Sequence, residues 1–262
     1  MDSPKKQRYY LQSLAKGLAA LQAFAEAGLP LTLSELAQAV GTTNATATRL
    51  CYTLSELGYI QRNGQRQYQL TPNVLNLGYS VICSLEWREI AKYYLERLFE
   101  VVQETVSLSM LEGQDVFYTI RIRKKKYLPF DISVGTKLPV HCTAMGKVLM
   151  AMGTPEKTQP ILERLDFRPL TAHTVTRLDD FLEELNTVRS KGYAINDEEL
   201  SIGNRAVAAP VFDGSGFAFA AINVAVPAAE YSRCDIEERL APVVMRSAGD
   251  ISKALLQIEA PC

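Results

Sequence analysis

The feature that most restricts what this chain can fold into is the punctuation of its first seventy residues: three apolar-striped segments, each closed by glycine, and then an Asn-Gly pair between two short runs. From Leu11 to Ala27, Leu14, Leu18, Leu21 and Ala25 recur at three- and four-residue steps, which predicts an amphipathic helix. Gly28 and Pro30 end it. Thr32 or Ser34 can cap a second helix, in which Leu33, Leu36, Ala37 and Val40 share a face and Glu35 favours the positive end of the dipole. Gly41 stops that helix, and Thr42 or Thr43 opens a third, with Ala47, Leu50, Cys51, Leu54 and Leu57 turned inward and Gly58 at its end. Tyr59 to Gln61 and Gln67 to Leu70 then read as strands joined through Arg62, Asn63, Gly64, Gln65 and Arg66. Helix, turn, helix and a basic hairpin make the layout of a winged helix-turn-helix, whose second motif helix lies in a major groove.

The outward face of the third helix carries Asn44, Ala45, Thr48, Arg49, Tyr52 and Ser55, with no carboxylate before Glu56. Such a face can approach base edges and phosphates without like-charge repulsion. A three-helix scaffold for protein contacts is the alternative. Charge distribution leans the same way but does not decide: residues 1–70 hold seven Lys and Arg against four Asp and Glu, a balance of +3 within a chain of net −1, leaving −4 elsewhere.

The remainder excludes several classes. The five cysteines, Cys51, Cys83, Cys142, Cys234 and Cys262, form neither a CxxC pair nor a disulfide framework, which fits a reducing, cytoplasmic setting. No signal-peptide core is evident, and the longest apolar stretch, Phe217 to Ala229, is broken by Asn223 and Pro227, so no membrane segment is expected. The only histidines, His141 and His173, have no metal-ligand spacing. Cys142 would point away from His141 in an extended stretch, and Asp197, Glu198 and Glu199 read as a surface charge run, so neither a catalytic residue nor a metal site is expected.

After Pro72, helical periodicity resumes from Trp87 to Gln103 through Ile90, Tyr94, Leu98 and Val101, a connecting helix whose apolar face packs on the following domain or on a twin subunit. Strands are then expected at Thr105 to Leu111, Val116 to Arg123 and Leu128 to Val134, with a basic hairpin tip at Arg121 and Arg123 to Lys126. Thr143 can cap a helix from Ala144 to Met152; helices follow at Pro155 to Leu165 and Leu178 to Lys191. Strands at Tyr193 to Asn196, Ala206 to Phe212 and Phe217 to Val226, and a last helix from Asp235 to Ile258, complete an α+β domain around a mostly antiparallel sheet. The expected organisation is a DNA-binding domain over 1–72, a linker helix region over 73–104 and a sensor domain over 105–262.

Taken in order, SLAKGLAALQAF, GTTNATATRLCYTLSELGYI, RQYQLTPNVLNLG, VGTKLPVHCTAMGKVLMA, KGYAINDEELSIGNRAVAAPVFDGSG and AAINVAV resemble the IclR-type bacterial transcriptional regulators across nearly the whole chain. LSMLEGQDVFY and DISVGTKLPVHCTAMGKVLM are most similar to the PcaR/PcaU/PobR branch, which governs aromatic-acid catabolism. The resemblance implies a GAF-like sensor domain, a homodimer that pairs further into a tetramer on double-stranded operator DNA, a small organic acid effector and no cofactor. It carries DNA contacts to Thr43, Asn44, Thr48, Arg49 and Tyr52, with Arg62 and Arg66 on the wing. It places the effector at the amides of Ala144 and Met145, against Asn196, Ala206, Asn223 and Ala225, with Leu138 and His141 nearby. The best-known family pattern has an acid, a thiol and hydroxyls at those four wall positions; amides and alanines make a less acidic, roomier wall, suited to an aromatic acid or larger dicarboxylate. A carboxylate fits a helix N-terminus, where unpaired N–H groups carry partial positive charge. A stand-alone binding or catalytic domain with an incidental helical bundle is the competing reading.

Overall fold

The computed structural model describes residues 10–77, 86–124 and 132–259. The chain forms two compact units, residues 1–85 and 86–262. In the first, α1 (Gln12–Ala27), α2 (Leu33–Val40) and α3 (Asn44–Glu56) precede an antiparallel pair, β1 (Ile60–Arg62) and β2 (Tyr68–Leu70). The caps follow the sequence. Thr32 and Glu35 make a reciprocal capping box at α2, Gly41 ends α2 with φ +65°, and the Thr43 hydroxyl accepts from the Thr46 amide at the start of α3.

The core of this unit is Ala20, Phe24, Leu36, Ala37, Ala47, Cys51, Leu54 and Ile60. The stripe expected on α1 is corrected: Leu14 and Leu18 are 59% and 53% exposed, and Ala20 and Phe24 do the packing. The sixteen-residue α1 outruns the eight-residue α2, so its N-terminal leucines overhang. They line an open groove of about 700 Å³ together with Leu50 and Leu57 of the α3 region.

The wing turn also differs from the one Asn-Gly suggests. The Arg66 amide donates to the Asn63 carbonyl, the Asn63 amide to the Gln67 carbonyl, and the positive φ falls on Arg66 (+61°) rather than on Gly64. This is a three-residue loop closed by a left-handed residue. Asn63 Oδ1 accepts from the amides of both Gln65 and Gln67, which selects this turn over the tighter two-residue one.

The second unit opens with α4 (Glu86–Val102), followed by β3 (Thr105–Glu112), β4 (Asp115–Ile122), β5 (Lys137–Pro139), a 3₁₀ turn (Val140–Cys142), α5 (Ala144–Met152), α6 (Pro155–Leu162) and α7 (Leu178–Lys191). Then come β6 (Ala194–Asp197), β7 (Asn204–Phe212), β8 (Ala218–Pro227), a short turn of helix at Arg233–Asp235, a π-turn (Ile236–Leu240) and α8 (Ala241–Glu259). The six strands form one antiparallel sheet in the order β5-β4-β3-β8-β7-β6. Of the strand expected from Leu128 to Val134, residues 128–131 lie outside the described residues; Ile132 to Val134 run into a turn, with Gly135 at φ +94° and its amide on the Tyr118 carbonyl.

Alternation along the strands sorts side chains onto two faces. Val207, Ala209, Val211, Ile222, Val224 and Val226 face a core closed by α4 and α8, where Ala91, Leu95 and Leu98 of α4 are buried. The apolar face of α4 therefore packs on the sheet of its own unit. The other face is built of small residues, Ala206, Ala208, Ala221 and Ala225, against α5 and α7. Gly146 lets the first turn of α5 fold tightly against the 3₁₀ turn before it: a Cβ there would meet the Val140 carbonyl oxygen at 2.2 Å.

Candidate DNA-contact face and effector cavity

On α3 the residues expected to meet DNA are outside. Thr43, Asn44, Thr48 and Arg49 are exposed, and Tyr52 is 67% exposed. Thr48 Oγ1 donates to the Asn44 carbonyl, a back-bond that ties this hydroxyl to its own helix. Arg62 and Arg66 are exposed on the wing, Arg62 with its guanidinium 5.9 Å from the Tyr68 ring centre. The face and the wing belong to one packed unit, since Ile60 of β1 and Ala47, Cys51 and Leu54 of α3 share its core. Among the described residues Ala45 is exposed on that face as well, whereas Ser55 at its end is half-buried with its hydroxyl oxygen enclosed.

In the second unit, a cavity of about 20 Å³ lies between the sheet, the N-terminus of α5 and the β6–β7 connection. Ala144, Ala206, Asn223 and Ala225, four of the residues to which the resemblance carries the effector, line it. Thr143 lines it as well, its hydroxyl accepting from the Gly146 amide and donating to the Pro139 carbonyl, so both capacities of that side chain are used by the cap. Tyr118, Arg121, Leu200, Ser201 and Asn204 also line it, and none of these was singled out for the site from the sequence.

Leu138, His141, Met145 and Asn196 are not among the lining residues. Leu138 sits on β5 opposite Val116 and packs into the core beside α5. His141 is buried, its Nε2 pairing with the Arg168 carbonyl at 3.0 Å and its ring edge-on to Phe167; burial holds its pKa below the usual imidazole range, which leaves it neutral rather than a countercharge. The Met145 sulfur accepts from Ser109 Oγ at 3.1 Å. The Asn196 amide is spent on backbone, donating to the Cys142 carbonyl and accepting from the Glu199 amide. A 3₁₀ turn replaces the extended stretch expected at His141 and Cys142, and burial pushes the Cys142 thiol up to about 12, a protonated and unreactive state.

The presence of Tyr118 and Arg121 in one cavity rests on a β-bulge. Ser107 pairs with Arg121 and Leu108 with Ile120, but Ser109 pairs with Tyr118, so Thr119 is the extra residue. The bulge puts two residues three apart onto one face, which period-two reading assigns to opposite faces. Arg121 Nη1 donates to Ser107 Oγ at 3.1 Å, and its guanidinium lies 5.9 Å from the Tyr118 ring centre. Burial pushes the Tyr118 phenol up to about 12, so it stays protonated.

The acidic run at residues 197–199 is only partly a surface feature. Glu199 is 5% exposed, and both its carboxylate oxygens accept from Lys147 Nζ of α5, at 2.6 and 2.7 Å. Glu184 Oε2 of α7 lies 2.5 Å from the same nitrogen. Lys147, 2% exposed, is thus committed to two carboxylates and is no anchor for a ligand. Through Glu199 it pins the β6–β7 connection, which Thr171 and Thr174 also hold by hydroxyl donation to the Glu198 and Glu199 carbonyls respectively. Desolvation pushes the Glu199 carboxyl above the usual range, against the opposing pull of Lys147.

An exposed acid-free recognition helix with a basic wing, joined on one chain to a sensor unit holding a polar cavity, defines a ligand-responsive DNA-binding transcriptional regulator. Comparison with known proteins agrees. Residues 13–64 match the IclR helix-turn-helix domain and residues 79–253 match the bacterial transcriptional regulator IclR C-terminal domain, so the chain belongs to the IclR family. It is 32% identical over 247 residues to the Pca regulon regulatory protein of Pseudomonas putida, covering 94% of this chain and 84% of that one. Identity is 31% over 219 residues to the p-hydroxybenzoate hydroxylase transcriptional activator of Acinetobacter baylyi, covering 82% and 80%. Among solved structures, a transcriptional regulator from Rhodococcus sp. RHA1 superposes with a TM-score of 0.84 at 39% identity, covering 95% of this chain and all of that one. Those relatives are transcriptional regulators rather than enzymes, and among the described residues no helix is long and apolar enough to cross a membrane and no cluster of His, Cys, Asp and Glu could hold a metal.

Proposed function

We propose that this chain binds operator DNA as a homodimer through α3 and the wing, and that an organic acid, aromatic as in the p-hydroxybenzoate system one relative is named for, binds at the sensor cavity, which at about 20 Å³ must widen to admit it, and so changes that DNA affinity. The observation that carries the effector reading is the meeting of the first turn of α5, at Thr143 and Ala144, with the Arg121 guanidinium around one cavity. A helix N-terminus and an arginine fork both favour a carboxylate. Among the described residues no acidic one lines the cavity to oppose one. Support for the dimer comes from the overhanging leucines of α1, whose groove leaves apolar surface uncovered by the described residues of the first unit.

On this reading Arg49 contacts phosphate or base from α3, and Thr43, Asn44, Thr48 and Tyr52 flank it. The test is fluorescence anisotropy with DNA flanking the chain's own gene. Arg49→Ala lowers operator affinity about tenfold at fixed salt and leaves calorimetric binding of an aromatic acid unchanged. Undiminished DNA affinity in that variant, or an acid that binds without altering the wild-type anisotropy curve, overturns the proposal.

A further inference from the structure

The bulge that brings Tyr118 and Arg121 to one cavity also leaves a backbone group for another element to hold. Thr119, the extra residue, lies outside the β3–β4 register, and a bulged residue has no ladder partner opposite it. Its hydroxyl donates to the Leu108 carbonyl of β3 at 3.2 Å. Its carbonyl is held from outside the sheet by Arg88 of α4, whose Nη2 and Nε both donate to that one oxygen, at 3.2 and 3.4 Å. A planar guanidinium fork is directional, unlike the apolar packing of Ala91, Leu95 and Leu98 further along the same helix. Glu89 lies 4.0 Å from Arg88 Nη1 but is 74% exposed, so that pair adds little.

The contact sits where a movement of the cavity wall is felt. At about 20 Å³ the cavity has room for about one water, so an aromatic acid enters only if a wall moves. Most of the walls are braced. The Lys147–Glu199 pair fixes α5 and the β6–β7 connection, and β7 and β8 run inside the sheet against α4 and α8. At Thr119, by contrast, the β3–β4 ladder is interrupted, and among the described residues β5 pairs with β4 only over Asp115 to Phe117. The lining residues Tyr118 and Arg121 stand on either side of this break, so a wall displaced there carries the Thr119 carbonyl with it.

Arg88 is the third residue of α4, and α4 starts where the second unit starts, at the point the chain reaches after the DNA-binding unit. The adjacent Trp87 packs edge-on to Phe219 of β8, with ring centres 5.3 Å apart. The first turn of α4 is thus fastened to two strands, one broken at the cavity and one continuous. A shift of β4 relative to β8 turns the start of the helix.

We propose that Arg88 is the positioning residue that couples the sensor cavity to DNA affinity, by tying the start of α4 to the bulged carbonyl of Thr119. The proposal rests on the acid-sensing reading above and names the contact through which the acid acts. A ligand shifts an equilibrium only through an interaction that differs between its two states, and here the differing interaction is the fork on Thr119. Coupling is reciprocal, so operator binding must also be felt at the bulge, a signature that needs no effector.

The experiment measures operator affinity of the full chain by fluorescence anisotropy with and without p-hydroxybenzoate, and amide hydrogen exchange over residues 117–123 with and without operator DNA. In the wild type the acid is expected to change operator affinity about fivefold or more, and the operator to change exchange at the bulge about twofold or more. Arg88→Ala should reduce the first change below about twofold and abolish the second, with acid-free operator affinity and DNA-free acid affinity each within about threefold of wild type. Arg88→Lys, a cation that still reaches a carbonyl, should restore part of each response. Arg88→Gln, too short to reach, should not, and it takes the place of the alanine variant if that one fails to fold. Persistence of either wild-type response in the variant overturns the proposal. So does loss of both affinities with their coupling unchanged, the mark of a merely structural brace. If p-hydroxybenzoate leaves wild-type operator binding unaltered, the acid-sensing reading falls and hydrogen exchange decides: a bulge response lost in the variant upholds Arg88 as the link, and no response in the wild type overturns it.

Discussion

Lys147→Met is the most informative single change outside either interface. The lysine ammonium is held within 2.7 Å by both Glu199 oxygens and contacts Glu184, with almost no solvent around it. Methionine keeps most of the stem volume and removes the charge, leaving the Glu199 carboxylate buried without a cation. Breaking one side of a buried pair costs about 3–5 kcal/mol at neutral pH. The pH dependence has a definite sign. Glu199 already has its carboxyl pushed up by burial, with Lys147 the chief opposing influence, and losing the lysine pushes it up further. A carboxyl whose folded-state pKa exceeds its unfolded value stabilises the fold below the unfolded pKa and loses that contribution as pH rises through the folded one. The deficit of Lys147→Met is therefore greatest at neutral pH and above, and shrinks toward about pH 5. Urea unfolding at about pH 7.5 and about pH 5 measures it, and adding Glu199→Gln should recover all but about 1–2 kcal/mol by removing the stranded charge. A loss below about 1 kcal/mol that is the same at both pH values would refute the view that this triad is a buried, mutually dependent ion cluster.

Other outcomes follow from single positions. Gly146→Ala places a methyl 2.2 Å from the Val140 carbonyl oxygen and 2.4 Å from its Cα, backbone that cannot swing aside, so the sensor unit should lose about 3 kcal/mol or more in denaturant unfolding; wild-type stability would show that α5 can lift from the 3₁₀ turn. Arg66→Gly should leave thermal stability within about 0.5 kcal/mol, because relief of the left-handed arginine is offset by the entropy of glycine. The same variant should weaken operator binding and flatten its salt slope by about one; an unchanged slope would remove Arg66 from the phosphate contacts. Arg66→Val, by contrast, forces a β-branched residue to φ +61° and should lower the melting temperature of the DNA-binding unit, measured by circular dichroism.

Local signals carried much of this architecture. Thr43 and Thr143 cap the helices their positions announce, and α5 and α7 run over the residues their periodicity marks, because capping and amphipathic patterning act within a few residues. What was illegible depends on partners distant in sequence. The bulge at Thr119 exists only in the pairing of β3 with β4, so the convergence of Tyr118 and Arg121 has no local trace. Glu199 reads as surface charge until Lys147, fifty-two residues earlier, is brought to it by folding. Leu14 and Leu18 lie on the helical stripe yet stay more than half exposed among the described residues, since periodicity reports an apolar face without saying what covers it. Asn223 came to the cavity wall through the family resemblance alone, since the apolar run it interrupts says only that the segment does not span a membrane.

The alanine side of the sensor sheet has a consequence for how such a protein diversifies. Ala206 and Ala225 line the sensor cavity from neighbouring strands, at directly opposed positions. Exchange of either for glycine, serine or valine resizes the chamber by a few atoms while the valine-rich reverse side and the hydrogen-bonded ladder stay as they are. If that cavity takes the effector as proposed, selection can retune which metabolite is heard without rebuilding the receiver.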